Sequence, residues 1–227
     1  MNDSIDRQIR KQQIKSKQRV ARYGEVFTAA REVNAMLDLV KSETERIESR
    51  FLEPACGEGA FLTEILRRKL AAVKDRYGYT PEDYERYAVL AITSIYGVEL
   101  LPDNVEACRR KLFEIWDMEY RSHNGTHVSN ACRETVKFIL RKNIICGNML
   151  TARQQHGAPI VFSEWTLVKG NEIVRRDYAL DALLSGHELQ MSISMTDWDY
   201  DEKTNSFTPS PVQIYPPTDY RKLALYE

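Results

Sequence analysis

Apolar residues follow a helical period in five stretches of the chain. They recur three and four positions apart, as on one helix face, after Thr28, Gly59, Pro81 and Pro102 and again over about 130–140. Short apolar runs that fit buried strands separate these stretches, at residues 50–53, 94–98, 143–146 and 159–162. Because strands alternate with helices, the pattern predicts an α/β fold with a mostly parallel sheet.

The pattern changes after the fourth predicted strand. Residues 165–168 and 172–174 are typical of a β-hairpin with its turn at Gly170-Asn171, and Tyr178 to Leu184 of a short helix. From about Ser185 the chain becomes acidic and rich in proline, which indicates an extended or partly ordered tail. We therefore expect three parts: a basic N-terminal segment (1–23), a folded domain whose parallel sheet stops after its fourth strand (24–184), and a C-terminal tail (185–227).

Composition excludes several classes of protein. The 227 residues contain 32 Lys+Arg and 33 Asp+Glu, an ordinary balance for a soluble globular protein. No apolar run is long enough to span a membrane and the N-terminus has no apolar signal region, so a cytoplasmic protein is expected. The four cysteines form no Cys-x-x-Cys pair. They predict free thiols in a reducing compartment and no metal site.

Local charge is more informative than net charge. In the first 22 positions only Asp3 and Asp6 oppose a set of basic residues, namely Arg7, Arg10, Lys11, Lys15, Lys17, Arg19 and Arg22. This segment is either a solvated helix or a basic arm that contacts phosphates.

A glycine turn follows the first predicted strand. Gly57-x-Gly59 lets a ligand approach the backbone closely, and the free N–H groups of the helix that follows favour a carboxylate or phosphate. Glu99 closes the second strand, where two carboxylate oxygens match the vicinal hydroxyls of a ribose. No Gly-x-x-x-x-Gly-Lys-Ser/Thr occurs, so a P-loop is excluded. The arrangement fits a nucleoside cofactor such as NAD or S-adenosylmethionine.

Four motifs narrow this choice. They occur in the order Gly24-Glu-Val-Phe-Thr28, Leu52-Glu-Pro-Ala-Cys-Gly-Glu-Gly-Ala-Phe-Leu62, Gly97-Val-Glu-Leu100 and Cys146-Gly-Asn-Met-Leu150. Together they resemble the adenine-specific DNA N6-methyltransferases of restriction–modification systems. The resemblance implies a Rossmann-like domain that binds S-adenosylmethionine.

The resemblance also implies a role for each matching residue. Thr28 and the turn formed by Pro54, Ala55, Cys56, Gly57 and Gly59 would hold the methionine end of the cofactor. Glu53, next to the turn, would be a further cofactor-binding residue. Glu99 would hold the ribose, and Asn148, where the family often has Asp, would bind the adenine amine. Phe61 would pack near the cofactor, although an ordinary core aromatic has the same pattern.

The family's catalytic motif is not recognisable. Asn/Asp-Pro-Pro-Tyr/Phe should follow the fourth strand, where it accepts hydrogen bonds from the target amine and stacks on the flipped base. This chain has Ser163-Glu-Trp-Thr166 there. Ser163 or Glu164 could accept from an amine and Trp165 could stack on a base. Alternatively, the strand simply runs on into the hairpin.

Three hypotheses about function remain open. The first is a DNA adenine-N6 methyltransferase domain that reaches DNA through a partner subunit, since no target-recognition domain is visible. The second is a catalytically inactive S-adenosylmethionine-binding subunit with a regulatory or interaction role. The third is a methyltransferase for a protein or a small molecule.

Overall fold

A short parallel sheet lies at the centre of the molecule. The computed structural model describes residues 19–21, 25, 28–185, 198–201 and 206–225. Strands β1 (Phe51–Glu53), β2 (Ile95–Glu99) and β3 (Ile144–Cys146) are parallel and lie in the order β1-β2-β3. Phe51 is opposite Ile95, and Glu99 is opposite Cys146. The α/β class and the parallel pairing of the first three predicted strands are therefore confirmed.

Helices precede and connect these strands. They are α1 (Ala30–Asp38), α2 (Lys41–Thr44), α3 (Ala60–Tyr77), α4 (Pro81–Thr93), α5 (Pro102–Asn124) and α6 (Asn130–Asn143), with one 3-10 turn (Gly125–His127) between α5 and α6. Side chains of Thr80 and Ser129 cap α4 and α6 by accepting backbone N–H bonds. None of the helices in the described ranges combines the length and apolar character that a membrane span needs.

The first helix follows the apolar period that begins after Thr28, and its N-cap is Ala29. Three apolar side chains recur at helical spacing, at Val33, Met36 and Leu37. Val33 and Leu37 are buried, whereas Met36 is 56% exposed. One side of the stripe therefore packs on the core and the other faces outward.

The fourth predicted strand and the predicted hairpin are a single element. Strand β4 (Val161–Lys169) pairs with the antiparallel strand β5 (Glu172–Ala179), and Gly170 supplies a left-handed residue at the turn. In the described part of the chain β4 is not hydrogen-bonded into the parallel sheet. A parallel neighbour normally needs a crossover helix, and residues 147–160 between β3 and β4 contain none. Tyr178 belongs to β5, so the predicted short helix begins later, as α7 (Leu180–Ser185).

The predicted C-terminal tail contains ordered structure. Strand β6 (Trp198–Asp201) pairs with β7 (Ser206–Pro209), while β8 (Gln213–Ile214) and β9 (Thr218–Asp219) both pair with β5. A final 3-10 helix (Tyr220–Leu225) buries Tyr220 and Leu223 in the main core.

A buried carboxylate holds this C-terminal helix in place. Glu85 on α4 accepts hydrogen bonds from the hydroxyl of Tyr220 and from Nε of Arg221, both at 2.7 Å, and from the hydroxyl of Tyr120. Burial and the bond to Glu85 raise the pKa of both tyrosines. Thr135 donates to the carbonyl of Tyr220 at 2.7 Å. The end of the chain is thus anchored by polar contacts that its composition did not indicate.

Lys69 on α3 makes a comparable anchor before β1. Its side chain is completely buried, and Nζ donates to the carbonyls of Arg46, Ile47 and Ser49 at 2.9, 2.8 and 2.6 Å. Desolvation lowers the pKa of Lys69 to about 7, against the opposing charges of Glu48 and Glu43. Only an ammonium group has three N–H donors, so these carbonyls stabilise its charged form.

We expect Lys69→Met to destabilise the fold. It keeps the length of the side chain but leaves three buried carbonyls without a donor, at a cost of about 3 kcal/mol in the free energy of unfolding. Urea denaturation measures this loss. Lys74→Met on the exposed face of the same helix is the matched control, and we expect a change within about 0.5 kcal/mol. Equal losses in the two variants would contradict the anchoring role of Lys69.

Candidate cofactor site

The carboxyl ends of the three parallel strands form one edge of the sheet. Glu53 and Glu99 are the last residues of β1 and β2, and Cys146 is the last residue of β3. Ligands of open α/β sheets bind beyond this edge. The structure therefore brings the predicted glycine turn, Glu99 and the segment after β3 to the same edge.

Glycine is needed at the two positions of the turn for different structural reasons. Gly57 and Gly59 have φ angles of +52° and +86°, which L side chains rarely adopt. A Cβ atom on Gly59 would lie 2.7 Å from Sγ of Cys108 on α5, so this glycine permits close packing. A Cβ atom on Gly57 would meet no atom within 4 Å, so Gly57 borders open space.

Cys56 belongs to the packing beneath the turn. Its N–H donates to the carbonyl of Val98 at 3.0 Å and joins the turn to β2. Gly97 on β2 makes room for it, since a Cβ there would lie 2.9 Å from Sγ of Cys56. A hydrogen bond with Cys108 and burial raise the pKa of the Cys56 thiol, which keeps it protonated. Only the backbone of Cys56 is therefore suited to ligand binding.

The carboxylate of Glu99 joins the turn to the start of α5. Oε2 accepts the N–H of Gly57 and Oε1 accepts the N–H of Leu101, both at 2.9 Å. Glu99 is buried, with 9% of its surface exposed. Each carboxylate oxygen has a second acceptor position. The group can therefore accept two hydroxyl groups while it continues to hold the turn.

Glu53 is the second acid at this edge. It is half-buried, and burial raises its pKa against the opposing effect of a hydrogen bond from the backbone of Ala55. The neighbouring Glu58 forms an ion pair of 2.7 Å with Lys111 on α5. The ion pair directs Glu58 toward α5, which distinguishes it from Glu53.

Asn148 lies two residues beyond β3. Its Oδ1 accepts the N–H of Leu150 at 2.9 Å, and its backbone pairs with Arg153. The N–H of Gly147 donates to the carbonyl of Glu99 at 2.9 Å, which places this loop beside the end of β2. Asn148 is partly exposed there and retains further hydrogen-bonding capacity.

Phe61 directly follows the turn, whereas Thr28 precedes the first helix. Phe61 is in the first turn of α3, partly buried against the main core. Thr28 precedes α1, which contacts α3 through a hydrogen bond of 2.9 Å from Arg68 to Asn34. Their predicted cofactor contacts stay predictions.

Sequence reasoning missed one polar contact near this edge. The buried side chain of Asn104 in the first turn of α5 donates to Glu25 at 2.8 Å. Glu25 belongs to the first of the four motifs, whose residues 24, 26 and 27 lie outside the described residues. An isolated Asn on a helix carries no sequence signal of such a contact.

The predicted catalytic tetrapeptide lies on strand β4, where successive side chains point to opposite faces of the strand. Ser163 is buried, donates to Asp177 at 2.6 Å and accepts from Arg175 at 3.1 Å. Trp165 is also buried and donates to Asn143 at 2.9 Å. In this arrangement neither side chain is open to a base. The strand runs on into the hairpin, which is the alternative that the sequence left open.

Glu164 lies on the opposite side of the strand. It forms an ion pair of 2.6 Å with Arg50 and approaches Arg176 at 3.6 Å. Its side chain retains 22% exposure. Of the three predicted catalytic side chains, Glu164 alone remains accessible, and arginines already bind it.

Comparisons with known proteins identify no relative. A scan against protein-family models, a search of curated proteins and a search of solved structures each find no match. Any functional conclusion therefore rests on the motifs and on the geometry of this site.

The contrast between the two glycines predicts different effects on stability. We expect Gly59→Ala to lower the free energy of unfolding by about 2 kcal/mol, because it combines a strained φ angle with overlap against Cys108. Gly57→Asn should change it by less than about 1 kcal/mol, since Asn tolerates the left-handed region and the space is open.

Urea denaturation of both variants and of Gly59→Ala/Cys108→Ala tests this contrast. The double variant should recover part of the loss, because removal of Sγ relieves the overlap. An unchanged stability of Gly59→Ala would contradict the packing role of Gly59.

Proposed function

We propose that this protein binds S-adenosylmethionine in a Rossmann-like domain, as part of a methyltransferase of the DNA adenine-N6 type. The observation that carries the proposal is the buried carboxylate of Glu99, held by the N–H groups of Gly57 and Leu101 next to the open space at Gly57. The last three motifs have residues at this edge, and Glu25 of the first motif contacts Asn104 at the start of α5.

The chemistry of the edge matches the parts of the cofactor. The N-terminus of α3, whose first turn contains no acidic residue, favours the methionine carboxylate. Glu99 offers two acceptors to the ribose hydroxyls. Asn148 has an amide group suited to the adenine edge. These residues bind and orient, and orientation is the main contribution of an enzyme to an in-line methyl transfer.

The burial of Ser163 and Trp165 favours a second candidate. Amine activation needs an acceptor beside the cofactor, and base binding needs an open stacking surface. Ser163 is bonded within the hairpin, to Asp177 on β5, and Trp165 is bonded to Asn143 at the end of α6. A cofactor-binding subunit that relies on another chain for catalysis, or has a regulatory role, accounts for this arrangement directly.

The basic N-terminal segment is the part of the chain whose charge favours contacts with DNA phosphates. Most of its basic residues lie outside the described part of the chain. Arg19 is described, and it pairs with Asp103 at 2.7 Å and with Glu25. Arg19 therefore contributes to the packing of this segment against α5, in addition to any contact with phosphate.

Calorimetric titration with S-adenosylmethionine tests the cofactor proposal. We expect a micromolar dissociation constant, equivalent to about −8 kcal/mol. Gly57→Asn should abolish detectable binding, because its side chain enters the open space. Glu99→Ala should weaken binding by about 1.5–3 kcal/mol, and Glu99→Gln by less, since an amide oxygen still accepts.

The matched control is Glu114→Gln on the exposed surface of α5, which should bind like the wild type. Denaturation curves for every variant separate loss of affinity from loss of folding. If all four variants bind the cofactor equally, the site is wrongly assigned.

We further expect the purified chain to be a poor DNA methyltransferase when the cofactor is bound. The reason is that Ser163 and Trp165 are buried and already hydrogen-bonded, to Asp177 and to Asn143. Transfer of a tritiated methyl group to duplex and single-stranded DNA measures the activity, with and without proteins that co-purify with the chain. Robust adenine methylation by the chain alone would overturn this expectation.

A further inference from the structure

A cavity lies between β1 and the β4–β5 hairpin. Its volume is about 380 Å³. A cavity of roughly 150 Å³ holds one benzene molecule, so this one has room for two fused aromatic rings. Its predominantly apolar walls come from Phe51, Leu52, Tyr96, Phe162, Tyr178 and Leu183. This size and this lining are typical of a site for a small organic molecule.

Two hydroxyl groups of the lining already have partners within the protein. The hydroxyl of Tyr96 donates to the carbonyl of Ser163 at 2.9 Å, and the hydroxyl of Ser163 donates to Asp177 at 2.6 Å. The ring of Tyr96 also packs edge-on against that of Phe162, with 5.4 Å between the ring centroids. These contacts fix both rings, which therefore offer apolar surface to a ligand.

An arginine of the lining keeps hydrogen-bonding capacity. Arg50 lines the cavity and is 59% exposed, which places it at the mouth. Its Nη2 donates to Oε1 of Glu164 at 2.6 Å. A guanidinium group has five N–H donors, so Arg50 can bind a further carboxylate. A ligand that lies on the adjacent side chains of Phe51 and Leu52 can reach these donors.

The side chains at the mouth carry an excess of one positive charge. The carboxylate of Glu164 lies 2.6 Å from Arg50 and 3.6 Å from Arg176, so two guanidinium groups surround one carboxylate. The hydroxyl of Tyr178 senses the same three charges. Burial raises the pKa of Tyr178, Glu164 raises it further, and the two arginines lower it. The mouth therefore favours an anion over a cation.

We propose that this cavity binds a small aromatic monoanion, a carboxylate carried on two fused rings. The rings lie against Leu52 and Phe162, and the carboxylate binds the guanidinium group of Arg50. Within the described part of the chain, Gly57 and Glu99 are not among the residues that line the cavity. The inference is therefore independent of cofactor binding.

Three probes test the proposal by calorimetric titration of the full chain. They are naphthoate, naphthamide and naphthylmethylammonium, each substituted at the same ring position. We expect naphthoate to bind with a dissociation constant of about 100 μM, an affinity within the range for ligands of this size. The neutral amide should bind about ten-fold more weakly, because it cannot form the charge-assisted hydrogen bond. The ammonium compound should not bind.

Two pairs of matched variants locate the bound probe. Arg50→Met should weaken the binding of naphthoate about ten-fold and leave that of the amide unchanged, so the variant no longer distinguishes the two. Arg46→Met, at an exposed arginine outside the cavity, is the control and should bind like the wild type. Leu52→Trp should fill the cavity and abolish binding. Leu39→Trp, at a side chain that is 86% exposed beside α1, should not.

Removal of the carboxylate at the mouth should have the opposite effect. Glu164→Gln releases the donor that Arg50 now gives to the protein, so naphthoate should bind about three-fold more tightly. Nuclear Overhauser effects between the naphthalene protons and the methyl groups of Leu52 should place the ligand in the cavity.

Four results would overturn the proposal. They are a folded wild type that binds none of the probes, a preference for the ammonium compound, an Arg50→Met variant that still prefers the carboxylate to the amide, and equal binding by Leu52→Trp and the wild type. The second would make Glu164 the binding group and the cavity a site for cations. Far-UV circular dichroism of each variant verifies that it is folded.

Discussion

The candidate site depends on one carboxylate in the centre of its edge. Glu99 ends the middle strand and accepts N–H groups from the turn after β1 and from the start of α5. An uncompensated carboxylate would be costly at this degree of burial, and these two bonds stabilise its charge. The left-handed conformation of Gly57 aims its N–H at Glu99. The shape of the turn and the position of the acid therefore depend on each other.

Close packing around the turn adds a second constraint. Gly59 and Gly97 leave room for the thiols of Cys108 and Cys56, which lie between the turn, β2 and α5. A methyl group at either glycine would collide with a sulfur atom. The glycines thus bring three elements together below the site, while Gly57 leaves the space above it open.

Two buried charges hold the segments that flank this core. Lys69 binds three carbonyls before β1, and Glu85 binds the C-terminal 3-10 helix. Buried charges require partners of defined geometry, so each contact specifies one arrangement of its segment. In this way a chain with a short parallel sheet acquires an ordered entry into its first strand and an ordered C-terminal end.

The local patterns of the sequence determined the first half of the molecule. The period of the apolar residues, the glycines at 57 and 59 and the prolines at 81 and 102 predict the strands, the turn and the helices. These signals act within a few residues along the chain. They predicted β1 to β3 and α3 to α6, and placed Glu99 at the edge.

Only the tertiary structure decided the pairing of β4, the burial of Ser163 and Trp165, and the docking of Tyr220 on Glu85. Alternation makes residues of β4 face opposite ways, but which face is buried depends on a partner strand elsewhere in the chain. Likewise, the bond from Tyr220 to Glu85 joins residues far apart in sequence, and no local period encodes such a contact.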